Sequence, residues 1–124
     1  MTAVDASPGT VALLASIAPA LGTPLHAVAG DATAIPLADR SADTVFAVHL
    51  LEHLPPALAP RVLGEMVRVA RRRVVVAVPF EDAPNPTWGH IRTFDLADLA
   101  ALGSVAARPY TLDEHHGGWL VVDA

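Results

Sequence analysis

The sequence predicts an α/β fold, a mostly parallel sheet with an antiparallel hairpin at its C-terminal end. Short β-branched runs alternate with stretches of helical periodicity, the pattern of parallel strands joined by crossovers. The run Thr44-Val45-Phe46-Ala47-Val48 is apolar with almost no interruption, as a strand buried on both faces should be. The last segment offers two further strands, 105–110 and 119–123, close enough to pair across His115-His116-Gly117-Gly118.

With 124 residues the chain has room for one domain and one core. Its 52% hydrophobic content and mean hydropathy of +0.42 favour a packed globule over disorder. A formal net charge of −5 argues against a nucleic-acid partner, which would call for a basic patch, and leaves a small molecule as the expected one. Without cysteine there is neither a disulfide framework nor a thiolate metal site. No basic segment precedes an apolar core at the start, and no apolar run approaches the ~20 residues of a membrane span, so the expected location is the cytoplasm, away from membranes.

The elements follow in order. Residues 1–5 are a short apolar strand ending in Asp5, and Ser7-Pro8 then make an N-cap with proline at the first helical position. Val11, Leu14, Ala15 and Ala18 repeat at helical spacing until Pro19 and Gly22. Residues 25–29 form a second strand closed by Gly30-Asp31, and a loop through Ile35-Pro36-Leu37 and Asp39-Arg40-Ser41 leads into the 44–48 strand. After Pro55-Pro56 a helix starts near Pro60 with Leu58, Val62, Met66 and Val69 on one face. Arg71-Arg72-Arg73 are expected at its C-terminal end, where cations are favourable, just before a strand over 74–78. Residues 81–90, with Pro84, Pro86 and Gly89, are the natural place for a mobile lid. Asp95 with Asp98 three positions on caps a short helix bearing Leu96, Leu99 and Leu102 and stopped by Gly103.

The residues that carry chemistry fall at strand ends, where open parallel sheets bind ligands. Asp5 stands where an acid accepts hydrogen bonds from ribose hydroxyls, or where a short acid simply begins a helix cap. Asp31, beside Ala32, can take an exocyclic amine or serve turn chemistry. The segment HLLEH from His49 to His53 matches an inverted zinc-protease pattern. On a helix, His49 and His53 would bind zinc one turn apart while Glu52 polarises water, but Pro55-Pro56 leave little helix beyond. Without metal, Glu52 and His53 serve at the strand end, His53 as a general base; otherwise Glu52 caps local backbone and His53 packs. His90 can face the same pocket. His115 and His116 suit a solvated turn. Trp88 and Trp119 read as packing groups, with Trp88 alternatively closing over a ligand.

Taken together, VDASP, then GDATAIPLADRSADTVFAVHLLEHL, then LGEMVRVARRRVVVAVP resemble class I S-adenosylmethionine-dependent methyltransferases of the small-molecule type. The resemblance runs from Val4 to about Pro79, with weaker echoes in GHIRTFDLADL and the final hairpin. It implies a Rossmann-like sheet and S-adenosyl-L-methionine as cofactor. It also implies a donor site in which Asp5 binds the ribose, Asp31 and Ala32 meet the adenine, and His49 and Leu50 line the methionine side. Glu52 and His53 would lie near the acceptor as the catalytic pair. The expected reaction is methyl transfer to an oxygen or nitrogen of a small-molecule acceptor. An overall likeness to mycofactocin oligosaccharide methyltransferases suggests a sugar hydroxyl. No metal is expected, although a subset of relatives holds a divalent ion with a carboxylate and histidines, a set that Glu52, His53 and His90 could imitate.

The family begins with a strand and a glycine-rich loop, and the sequence starts after both, so the expected domain is N-terminally truncated. Gly9 is isolated and does not replace the loop. Two strands would keep an unpaired edge. That raises two alternatives to the enzyme: a non-catalytic domain of the same fold that forms a homodimer through the open sheet edge, and a zinc hydrolase acting through HLLEH. The methyltransferase reading requires Asp5, Asp31 and HLLEH to converge on one crevice along one rim of the sheet.

Overall fold

The structure, a computed structural model, describes residues 1–22 and 24–124. They form two compact units, Met1–Leu37 and Ala38–Ala124. In the first unit β1 (Thr2–Asp5) and β2 (His26–Ala29) pair in parallel, with Asp5 opposite Ala29. The crossover between them is α1 (Pro8–Ile17), extended by the 3-10 turn Ala18–Leu21. As expected, Ser7 caps α1, its Oγ accepting the Thr10 N–H at 3.3 Å, and Pro8 stands in the first turn, where a missing N–H leaves no bond unmade. Val11 and Leu14 are half-buried, whereas Ala15 is exposed. Gly22 turns the chain out of the helix at φ 64°, a left-handed conformation that glycine adopts without a Cβ clash.

The second unit contains β3 (Ala42–Val48), α2 (Ala59–Val69), β4 (Ala70–Val78), α3 (Leu96–Val105), β5 (Tyr110–Glu114) and β6 (Gly118–Asp123). Its sheet has the order β3-β4-β6-β5, with β3 parallel to β4 and β6 antiparallel to both its neighbours. The α/β class, the parallel pairs and the C-terminal hairpin are therefore as the sequence predicts. In α2 the side chains of Val62, Leu63, Met66 and Val69 are buried, the stripe expected of a helix lying on a sheet.

The register sorts the second sheet into two unequal faces. Val45 and Ala47 lie beside Val74 and Val76, and these beside Val122 and Leu120; Val74, Val76, Leu120 and Val122 are fully buried. The opposite face carries Phe46 beside Val75 and Val121, and Val48 beside Ala77 and Trp119. There Phe46 is 66% and Val48 52% exposed. The 44–48 run is thus buried on one face only, contrary to the sequence expectation. It is an edge strand of its sheet, and an apolar run does not by itself require two covering layers.

Other expectations change as well. Arg71, Arg72 and Arg73 belong to β4 rather than to the end of α2, and Arg71 pairs with Asp43 across the parallel strands at 2.9 Å. The base in the last turn of α2 is Arg68. Its guanidinium forks onto Glu65 through Nε and Nη2, each at 2.8 Å, and reaches Asp39 through Nη1 at 2.7 Å. Those bonds, Glu65 first and Asp39 second, raise its proton affinity further. The predicted strand over 105–110 is mostly turn: α3 runs on to Val105, and β5 starts only at Tyr110. Gly103 does not stop α3. It is buried inside the helix because a Cβ there would come 2.8 Å from the Tyr110 ring and 3.0 Å from Leu120.

Candidate functional site

In the first unit, parallel pairing puts the ends of β1 and β2 side by side, so Asp5, the last residue of β1, and Asp31, two residues beyond β2, both lie at the carboxyl end of one strand pair. Asp5 Oδ1 accepts the Ser7 N–H at 2.7 Å, and Gly30 N–H donates to the Asp5 carbonyl at 3.0 Å. Asp5 therefore opens the turn into α1 and ties the two strand ends together. Asp31 Oδ1 accepts both the N–H and the hydroxyl of Thr33 at 2.7 Å, an Asx turn that also contains the half-buried Ala32. Both acids do the structural work that the plainer sequence reading gave them, at a rim where ligands of parallel sheets bind.

In the second unit the chain leaves β3 through His49, which takes a left-handed φ of 52°, uncommon for a side chain with a Cβ. Leu50 is half-buried and leads into the 3-10 turn Leu51–His53. HLLEH is thus a strand end and one tight turn. It presents no α-helical face on which His49 and His53 could stand one turn apart, and this removes the geometry that the inverted zinc-protease reading requires.

The tight turn drives Glu52 inward until it is 0% exposed. Neither carboxylate oxygen has a hydrogen-bond partner among the described residues. His49 Nδ1 lies 3.2 Å from Oε1, close enough for an ion pair but not aligned as a hydrogen bond, and His90 Nε2 lies 3.9 Å from the same oxygen. Glu52 does not cap local backbone, then. It is a buried acid aimed at histidines, an arrangement that is costly unless a positive group meets it.

His53 and His90 face each other edge to face with centroids 4.9 Å apart. His53 Nδ1 is 3.1 Å from the Gly89 carbonyl. A carbonyl only accepts, so Nδ1 carries the proton and Nε2 is left with its lone pair in the neutral ring. His90 Nδ1 meets Glu81 Oε2 at 2.7 Å by the same logic. The segment expected to be a mobile lid holds the 3-10 turn Pro86–Trp88, capped by Asn85, and is pinned where Ile91 N–H donates to the Glu52 carbonyl at 2.9 Å. His49, His53, Pro79, Glu81, Trp88 and His90 line a cleft of about 460 Å³. Trp88 is 68% exposed at its rim, so it is not the packing group its composition suggested. Sequence reasoning passes over Glu81, although it is an acid just beyond the end of β4, as Asp31 is just beyond the end of β2.

In open α/β sheets ligands bind outside the carboxyl ends of the strands, and in each unit of this chain acids or imidazoles stand at such ends. The methyltransferase-domain family matches residues 1–78, all of the first unit and part of the second, and the chain belongs to that family. Solved structures share its fold. The YcgJ protein of Bacillus subtilis superposes with a TM-score of 0.73 at 21% identity, covering 91% of this chain and 54% of its own. A SAM-dependent methyltransferase from Aquifex aeolicus gives 0.72 at 19%, covering 99% and 66%. The magnesium protoporphyrin IX methyltransferase of Synechocystis, crystallised with bound SAM, gives 0.69 at 16%, covering 98% and 57%. The chain thus spans between about half and two thirds of the length of these proteins. A search of curated proteins returned no match. Among the described residues no helix is long and apolar enough to cross a membrane.

Proposed function

We propose that the chain serves methyl transfer from S-adenosylmethionine to an oxygen or nitrogen of a small-molecule acceptor, with a sugar hydroxyl as the acceptor class. Within the family, the observation that supports this most directly is the pairing of β1 with β2, which brings Asp5 and Asp31 to one strand-end rim. In this reading Asp5 takes the ribose hydroxyls and Asp31 with Ala32 takes the adenine. His49 and Leu50 flank the methionine portion. The sulfonium is already activated, so the protein's task is to align the acceptor in line with the methyl carbon and keep water out. His53 Nε2, its lone pair left open by the Gly89 contact, removes the acceptor proton, and Glu52 stabilises the positive charge that results nearby.

Titration calorimetry of the full chain with S-adenosylhomocysteine tests the donor site. One saturable binding event is expected; no heat at millimolar ligand would instead support a domain that keeps the fold without the chemistry. A second reading is favoured by β3, an edge strand that carries exposed Phe46 and Val48: two copies associate through this edge.

A further inference from the structure

We propose that the cleft at the ends of β3 and β4 recognises its ligand through a protonated amine, held against the Trp88 indole and the Glu81 carboxylate in the field of the buried Glu52. The ligand class is a small amine-bearing molecule. Within the sugar class named above, that is an amino sugar.

Charge is the first support. His49, His53, Pro79, Glu81, Trp88 and His90 line the cleft, and none of them is an arginine or a lysine. Glu81 is an acid on the wall itself, and its side chain keeps 21% of its surface exposed. Glu52 stands just behind, 3.2 Å from His49 and 3.9 Å from His90, with both oxygens buried and without a hydrogen-bond partner among the described residues. The fold thus sets two acids here and supplies no fixed positive charge. A cleft walled by one sign of charge focuses the field and draws in the other sign, and a buried carboxylate stays costly until a cation comes near. A phosphate or carboxylate ligand would be repelled.

Trp88 is the second, independent support. It is 68% exposed, yet its turn is closed by hydrogen bonds. Asn85 Oδ1 accepts the Thr87 N–H at 3.1 Å, and the Asn85 carbonyl accepts those of Trp88 and His90 at 3.2 and 3.1 Å. The Pro86 carbonyl accepts the Gly89 N–H at 3.1 Å. An indole left uncovered on a pinned turn is a preorganised surface, and tryptophan is the side chain whose ring attracts cations best. Beside it, Glu81 Oε2 is taken by His90 Nδ1 at 2.7 Å, while Oε1 meets no donor among the described residues. An ammonium group brings three N–H donors, one of them for that oxygen.

A protonated amine has no lone pair, so this anchor is not the atom that is methylated. A neighbouring hydroxyl remains the acceptor atom, with His53 taking its proton. The inference rests on the methyl-transfer reading only in calling the ligand an acceptor; the ammonium site stands on the cleft alone.

Calorimetry on the full chain with D-glucosamine, N-acetyl-D-glucosamine and D-glucose compares similar rings with and without the charge. We expect glucosamine to bind at one saturable site, about tenfold or more tighter than either neutral sugar, and less tightly as salt is raised. Glu81→Gln keeps an oxygen for His90 and removes the charge. That variant and Trp88→Ala should each weaken glucosamine binding by about 5- to 30-fold, with Trp88→Phe falling between Trp88→Ala and the parent. Equal binding of the three sugars, absence of saturable glucosamine binding, or an affinity unmoved in either variant would overturn the inference. Should Glu81→Gln fail to fold by circular dichroism, Trp88→Ala, at an exposed position, decides the matter alone. The donor titration fails separately: S-adenosylhomocysteine binding without a preference for glucosamine strikes this inference and leaves methyl transfer, and the reverse result strikes methyl transfer and leaves the ammonium site.

Discussion

Asp5 illustrates how one carboxylate can serve local structure and a ligand at once. Its Oδ1 holds the Ser7 N–H at the entrance to α1, so truncation removes a turn contact along with any donor contact. Asp5→Ala is expected to weaken S-adenosylhomocysteine binding by about 1.5 to 3 kcal/mol, the usual worth of a hydrogen bond to a charged group. Asp5→Asn keeps an oxygen for Ser7 but loses the charge. An affinity for Asp5→Ala equal to that of the parent chain, measured by calorimetry, would detach Asp5 from the donor site. His53→Ala should leave donor affinity almost unchanged and slow turnover by about 10²- to 10⁴-fold, the range of general-base catalysis, as read from single-turnover methyl transfer. These residues were legible in the sequence because each stands within a few positions of a strand end. Glu81 was not, because its importance comes from meeting His90 nine residues away at 2.7 Å, a contact that spacing alone does not disclose. Glu52 is legible as an acid beyond a strand end, but its burial is not: nothing in the HLLEH letters shows that the turn will enclose its carboxylate.

Among the elements, α3 separates what local signals reveal from what they hide. Its start was legible, since Asp95 and Asp98 exchange N–H and carboxylate contacts at 2.8 and 3.0 Å within four residues of sequence. Asp95→Ala is expected to destabilise the chain by about 1 kcal/mol, the typical cost of a lost N-cap, visible as a lower denaturant midpoint with unchanged slope. Its end is not legible, because a glycine usually signals a stop, whereas Gly103 is small to admit the Tyr110 ring from another element. Gly103→Ala should accordingly destabilise by about 1 to 3 kcal/mol despite the better helix propensity of alanine. Thermal unfolding measured beside a solvent-facing control such as Gly64→Ala, where an added Cβ meets nothing within 4 Å, would expose a contrary result. The place of the arginines is hidden for a related reason. Three consecutive cations look like a helix terminus, yet Arg71 faces Asp43 across a parallel pair, and only strand register shows it.

At the scale of the whole molecule, α/β alternation and the order of the segments were enough to place the chain in its family, because those features survive where individual contacts do not. Coverage of each face was not legible, since an apolar strand reads alike whether one or two layers lie on it. Phe46 and Val48 on β3 make self-association testable. Sedimentation should show a concentration-dependent dimer that Phe46→Lys abolishes by placing a charge on the edge strand; a parent chain that sediments as a monomer at every concentration would remove this second reading. The position of Trp88 has a further use. The chain holds two tryptophans, one exposed at the rim of the cleft and the other, Trp119, half-buried with its indole N–H on the His115 carbonyl. The emission of Trp88 should be red-shifted and readily quenched by acrylamide. Any molecule or ion that enters beside His53 and His90 would then announce itself as a change in fluorescence, so occupancy of this pocket can be followed optically before its natural guest is known.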